Sequence, residues 1–127
     1  MQTAADRYLA DAVATATPAQ LTGMLYDGAV GALRGAVRLQ EAGRWRESLA
    51  RSIKAQRILL ELRSCLDHRA GGEIAGNLHA LYTWSHGRLL QANRDRDAAL
   101  TREVLAVLEP LAAAWREGVL GVVPQAA

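Results

Sequence analysis

Apolar residues recur at Leu21, Leu25, Ala29, Ala32, Ala36 and Leu39, a spacing that turns one face of a helix toward a core. The stretch opens on Thr17-Pro18-Ala19-Gln20, where a Thr N-cap, a Pro at the first helical position and a Gln at N3 form a capping box. Gly43 is placed to end it as a C′ residue. A second helical pattern runs from about Arg44 to Asp67, with Trp45, Leu49, Ile53 and Leu60 in period. Around Ile58–Leu62 and Cys65-Leu66 it is apolar over more than half its circumference, which predicts contact on two sides. Arg69-Ala70-Gly71-Gly72 reads as the stop. Glu73 then suits the positive end of a third helix, which repeats Ile74, Leu78, Leu81, Tyr82, Ser85 and Leu89. Asn93-Arg94-Asp95 marks the next break, and Asp95 or Asp97 can cap a fourth helix carrying Leu100, Val104, Val107, Leu108, Leu111 and Trp115. Pro110 falls inside that pattern and predicts a kink near Ala106 rather than an end, because the spacing continues to Trp115.

Four helices of about 20–25 residues joined by short loops have neighbours forced antiparallel. The expected fold is therefore all-α: an antiparallel up-down-up-down four-helix bundle over residues 17–118. Residues 1–16 are small and polar apart from Tyr8, Leu9 and Val13, and form a short N-terminal segment packed on it. Residues 119–127 show no period and read as an irregular tail.

Composition agrees with helix. Alanine fills 25 of 127 positions, Phe is absent and Pro occurs three times. Fifteen basic and thirteen acidic residues are interspersed, which is no nucleic-acid footprint. No stretch approaches the roughly 18 uncharged apolar residues of a membrane span. Asp6, Arg7 and Asp11 stand where a signal peptide needs a basic patch and an apolar run, and the single Cys65 fits a reducing compartment. A cytoplasmic location is expected.

Chemistry is sparse. Neither the Glu-x-x-His pairs of di-iron bundles nor His-Glu-x-x-His occurs. His79 and His86 share a helix face, and Cys65 lies three residues from His68, but a soft-metal site needs three or four converging groups. Gly71-Gly72-Glu73 with Gly76 has only a loose likeness to a phosphate loop, with no strand before it. Ser85 and His86 are adjacent on a helix and point about 100° apart, so they form no nucleophile pair. No enzyme, metal or cofactor is expected.

Two features stand against this plain background. Gly23, Gly28, Gly31 and Gly35 lie in one helix, each costing about 1 kcal/mol relative to Ala. Their stripe either lets a neighbouring helix pack closely or forms a shallow groove for another chain. There is also more apolar surface than one seam uses. The Tyr8-Leu9-Val13 segment either covers the excess or gives way to a partner.

Tyr8 with Val13–Pro18, then Leu21 and Met24-Leu25-Tyr26-Asp27-Gly28-Ala29, resembles the opening of the flagellar secretion chaperone family FliS. The likeness continues in order through Lys54-Ala55-Gln56, Ile58, Glu61-Leu62, Leu66-Asp67, Gly71–Ala75, Asn77-Leu78, Leu81-Tyr82, Arg88-Leu89-Leu90 and Ala92-Asn93. Asp97, Ala99-Leu100, Glu103-Val104, Leu108 and Trp115 complete it, so that it spans about residues 6–117. The chain departs from the family at residues 83–87, at Ala70 and at Pro110.

The resemblance implies a cytoplasmic, non-catalytic export chaperone. It would bind the C-terminal segment of flagellin, prevent premature polymerisation and keep the subunit competent for flagellar type III secretion. The loaded complex would dock on the export gate protein FlhA, and the anti-sigma factor FlgM is a further implied partner. Tyr8 becomes part of a candidate lid. Leu25, Tyr26, Ile53, Ile58, Leu62, Leu78, Tyr82 and Leu89 become groove or core positions, which the pattern alone does not separate. Asp27, Gln56, Asn77 and Asn93 are candidate hydrogen-bonding groups for an extended client or, equally, for helix ends and neighbouring helices. Asp27 could pair with Lys54 or Arg88. The alternatives are a general helical adaptor or a small metal-binding helical protein.

Overall fold

Most of the helix starts are set by side chains that reach back to open backbone N–H groups. In the computed structural model, which describes residues 3–118, Thr17 Oγ1 accepts from Gln20 N at 3.2 Å and Gln20 Oε1 accepts from Thr17 N at 2.9 Å. This box opens a helix over Pro18–Glu41, as the sequence predicts. Thr3 and Asp6 make the same reciprocal pair, at 3.0 and 3.1 Å, and open a helix over Ala4–Thr15. Asp67 Oδ1 accepts from Arg69 N and Ala70 N, both at 3.1 Å, and Asp97 Oδ1 accepts from Ala99 N at 3.0 Å.

Among the described residues the chain is all-helical and has no strand: α1 (Ala4–Thr15), α2 (Pro18–Glu41), α3 (Trp45–Ser64), α4 (His68–Asp95) and α5 (Ala98–Arg116). Three boundaries differ from expectation. The N-terminal segment is itself a helix, because the Thr3–Asp6 box nucleates a run rich in alanine. The Asp67 cap starts α4 at His68, one turn before the double glycine, so Gly72 interrupts a helix instead of preceding one. Its φ of 53° and ψ of −125° are open essentially to glycine alone. At the other end α4 runs through Asn93 to Asp95, Arg96 takes the left-handed conformation, and Asp97 is the residue that caps α5. α5 continues through Pro110 to Arg116. The tail expected over 119–127 lies outside the described residues.

Helix α2 packs on α3 and on α5, and α4 packs on α3 and on α5. Side chains fix the directions. Along α2 and α5, Trp115 Nε1 donates to the Ala19 carbonyl at 2.9 Å, and ion pairs join Asp27 to Arg116 (3.1 Å), Arg34 to Glu109 (2.8 Å) and Glu41 to Arg102 (3.8 Å). Rising numbers on one helix meet falling numbers on the other, so the two run antiparallel. These pairs are exposed and each contributes little to stability. Between α3 and α4, Asn93 Nδ2 donates to Ser52 Oγ at 3.0 Å and Arg63 Nη1 to Thr83 Oγ1 at 3.2 Å, again antiparallel.

The core draws on α2 to α5, with Tyr26, Leu33, Leu59, Leu62, Leu89, Val104 and Leu108 among its fully buried side chains. Helix α1 contributes no buried residue. At the centre the Tyr26 and Tyr82 hydroxyls are hydrogen-bonded to each other, and Trp115 packs 6.0 Å from the Tyr26 ring. Burial pushes the Tyr26 hydroxyl above its ordinary value, more than the bond to Tyr82 lowers it. A raised value means that the unfolded chain releases this proton first. Stability is then intact below about pH 10 and falls as pH climbs from there through the folded value. Urea midpoints measured between about pH 9 and 11 should drop for the natural chain, and drop less steeply for Tyr26→Phe.

Candidate functional site

The link Ala16-Thr17 turns α1 back beside α2, and α3 flanks the same side. Between the three helices lies a groove of about 530 Å³. Leu9 and Val13 form the α1 wall; Leu21, Met24 and Leu25 form the α2 floor; Ile58 faces them from α3. Lys54 and Glu61 stand at the α3 edge, two turns apart and of opposite charge. An apolar trough of this size with few polar groups suits an apolar ligand or peptide and not an ion. Leu9 remains 57% exposed and Val13 45%, so α1 leaves the trough open.

The glycine stripe serves both purposes considered for it, at different positions. A Cβ at Gly23 would lie 3.0 Å from Trp115 Cδ1, and one at Gly35 would lie 2.6 Å from Arg51 Nη1, so these two admit close neighbours. Gly28 lines the groove, where a Cβ would approach Ile58 Cδ1 to 3.2 Å. Gly31 faces open space.

The thirteen residues singled out from sequence separate clearly. Leu25 and Ile58 line the groove. Tyr26, Leu62, Leu78, Tyr82 and Leu89 are buried core, and Ile53 is half-buried on α3. Gln56 is buried and donates to Ser52 Oγ at 3.2 Å, so Gln56 and Asn93 meet on one hydroxyl between α3 and α4. Asn77 is exposed on α4. Asp27 corrects an expectation: it pairs with Arg116, not with Lys54 or Arg88, because it sits on the α5 side of α2 while Lys54 edges the groove on α3. Arg88 instead meets Glu103 at 3.3 Å and lies over the Trp84 ring. Tyr8 points outward, 78% exposed, and its neighbours Leu9 and Val13 do the lining.

Pro18, Leu21, Thr22, Met24, Lys54, Glu61 and Cys65 also line the groove and were not among the thirteen. Leu21 and Met24 were legible as apolar positions near Leu25. Cys65 was legible as part of the wide apolar arc of α3, and Glu61 only within the family resemblance.

The Cys65 thiol is pushed above its ordinary value, first by burial and then by the Glu61 carboxylate 3.6 Å away, so it stays protonated near neutral pH. Ser85 is fully buried in the core. His68 and His79 meet edge to face at 5.4 Å, and among the described residues no three His, Cys, Asp or Glu side chains converge on a metal-sized site. Among those residues, too, no helix is long and apolar enough to cross a membrane.

A family model described as flagellar protein FliS matches residues 1–121. The flagellar secretion chaperone FliS of Salmonella typhimurium is 42% identical over 109 residues, covering 84% of this chain and 79% of that protein. The FliS of Escherichia coli is 36% identical over 110 residues (86% and 81%), and that of Bacillus subtilis 32% identical over 112 residues (88% and 83%).

Proposed function

The chain belongs to the FliS family of flagellar secretion chaperones, and from that premise we propose that it binds the C-terminal segment of flagellin along the groove between α1, α2 and α3. Like the rest of its family it is a chaperone and not an enzyme. Covering that segment would prevent premature polymerisation in the cytoplasm and keep the subunit competent for export. Docking of the loaded complex on FlhA, and binding of FlgM, belong to the same reading. We read α2 to α5 as an up-down-up-down bundle, the scaffold, and residues 1–16 as its lid.

The observation that carries this reading is an apolar groove left open by a helix that buries none of its own residues. Helix α1 can shift without opening the core, so a client can widen the trough at little cost to the fold. An unfolded client loses conformational entropy on binding, so affinity must come from a long run of contacts and not from one anchor. Leu49 and Leu60 on α3 and Leu90 on α4, all substantially exposed, offer apolar surface beyond the groove for a chain that continues past it. The test is co-expression with flagellin followed by size exclusion. Full-length flagellin should co-elute with the chaperone, and flagellin without its last few dozen residues should not. Equal co-elution of the truncated form would overturn the reading.

A further inference from the structure

The groove has two poles. Lys54 and Glu61 line it from the same edge of α3, both exposed and about 10 Å apart at 1.5 Å per residue. One turn before Lys54, Arg51 lies over α2 at Gly35, where a Cβ would come within 2.6 Å of its Nη1. Among the described residues none of these three charged groups takes part in an ion pair. Cys65 marks the Glu61 end, its Sγ 3.6 Å from Glu61 Oε1. The trough is therefore positive at one end and negative at the other. Gly28 meets Ile58 and Gly35 meets Arg51, so α3 runs antiparallel to α2, and the negative end lies beside the start of α2.

The lining also limits the conformation of an occupant. Leu9, Val13, Leu21, Met24, Leu25 and Ile58 offer no hydrogen bond, and the Thr22 hydroxyl already donates to the Pro18 carbonyl at 3.1 Å. The walls are helices, whose backbone groups bond within themselves. An extended chain laid there would leave its own N–H and C=O groups unpaired, whereas a helix satisfies them internally.

We propose that the stretch of client held in the groove is a single helix running parallel to α2, from the Glu61 end to the Lys54 end. It carries a basic side chain in its first turn, at Glu61, and an acidic one two turns later, at Lys54. This rests on the client reading above and adds to it a conformation, a direction and a charge order. The positive end of the helix dipole then meets Glu61, and the negative end meets Lys54 and Arg51. Apolar side chains at helical spacing between the two charges face Leu21, Leu25 and Ile58. Exposed charges attract weakly one at a time, so their order selects direction while apolar burial supplies affinity.

Direction is read with cysteines. Purified flagellin C-terminal segments, each with one cysteine activated as a pyridyl disulfide, place that cysteine at successive positions along the apolar stretch. They are mixed with the natural chain, whose single thiol is Cys65, and with a chain carrying Lys54→Cys and Cys65→Ser. Exchange at mildly alkaline pH releases pyridinethione, and its rate reads proximity. Positions that react fastest with Cys65 should lie about eleven residues before those that react fastest with the Lys54→Cys chain, at one residue per 1.5 Å on both helices. Fast positions should recur every three to four residues. The opposite order overturns the direction, and a period of two overturns the helix. Charge order is read with Lys54→Glu plus Glu61→Lys, which keeps the net charge and every apolar lining residue. Circular dichroism checks the fold. Binding of the segment should weaken about tenfold at low salt and only about twofold at ~0.5 M salt, and unchanged affinity at low salt overturns the charge order. Slow exchange at every position in both chains, with affinity intact by titration, would put the client elsewhere and overturn the groove reading itself.

Discussion

Leu25→Asp is expected to weaken binding of the flagellin C-terminal segment a hundredfold or more while leaving the helices folded. Leu25 lies on the groove floor and packs only its inner side against the core. A bound client would bury its outer side. Losing a leucine contact removes up to about 1.5–3 kcal/mol. The substituted carboxylate would also be taken out of water, and its neighbours one turn away are Leu21, Thr22, Gly28 and Ala29, none of them basic. An unpaired buried charge adds more than a leucine contact does, and about 2.8 kcal/mol already corresponds to a hundredfold change in Kd. Isothermal titration reads the loss and circular dichroism checks the fold. Leu25→Val, which keeps an aliphatic surface, should bind within a few-fold of the natural chain. A folded Leu25→Asp protein with natural affinity would remove the groove from the binding site.

The helices were legible wherever a cap and a stripe coincided. Thr17-Pro18-Gln20 marked the start of α2, and the period from Leu100 to Trp115 carried α5 through Pro110. Helix α1 was not legible as a helix, because its large apolar groups are only Tyr8, Leu9 and Val13, too few for a stripe to be read, although Leu9 and Val13 lie one turn apart on the face that lines the groove. Its one clear signal was the Thr3–Asp6 box. The double glycine misled for a related reason: Gly72 does break helical geometry, but Asp67 had already begun the helix, and a cap outranks a breaker five residues later.

The site was half legible. Spacing identifies which positions are apolar, and says nothing about which neighbouring helix covers each one. Leu25 and Tyr26 are consecutive and both apolar, yet one faces the groove and the other is 1% exposed against Trp115 and Tyr82. That distinction comes from α5, about ninety residues along the chain. The partner of Asp27 has the same origin, since Arg116 arrives with that helix. Only a three-dimensional arrangement turns an apolar list into a core and a groove.

Helix α3 permits the sharpest separation of the two roles, because Ile58 and Leu59 are adjacent and point about 100° apart. Leu59 is completely buried, enclosed by the core that α2, α4 and α5 complete. Leu59→Ala should cost about 2–5 kcal/mol, with the spread set by how far the neighbours relax into the space. In a chain of 127 residues this lowers the thermal midpoint by about ten degrees or more. Ile58 is half-buried at the groove, so Ile58→Ala should cost much less in midpoint and more in client affinity. Calorimetry of the two variants, paired with titration of the flagellin segment below both midpoints, reads stability and binding separately. The expected result is a crossed pattern: Leu59→Ala loses the fold first and still binds when cold, whereas Ile58→Ala stays folded and binds poorly. Parallel losses in both variants would mean that α3 has one apolar face and not two, and the groove would then be a shallow edge of the core.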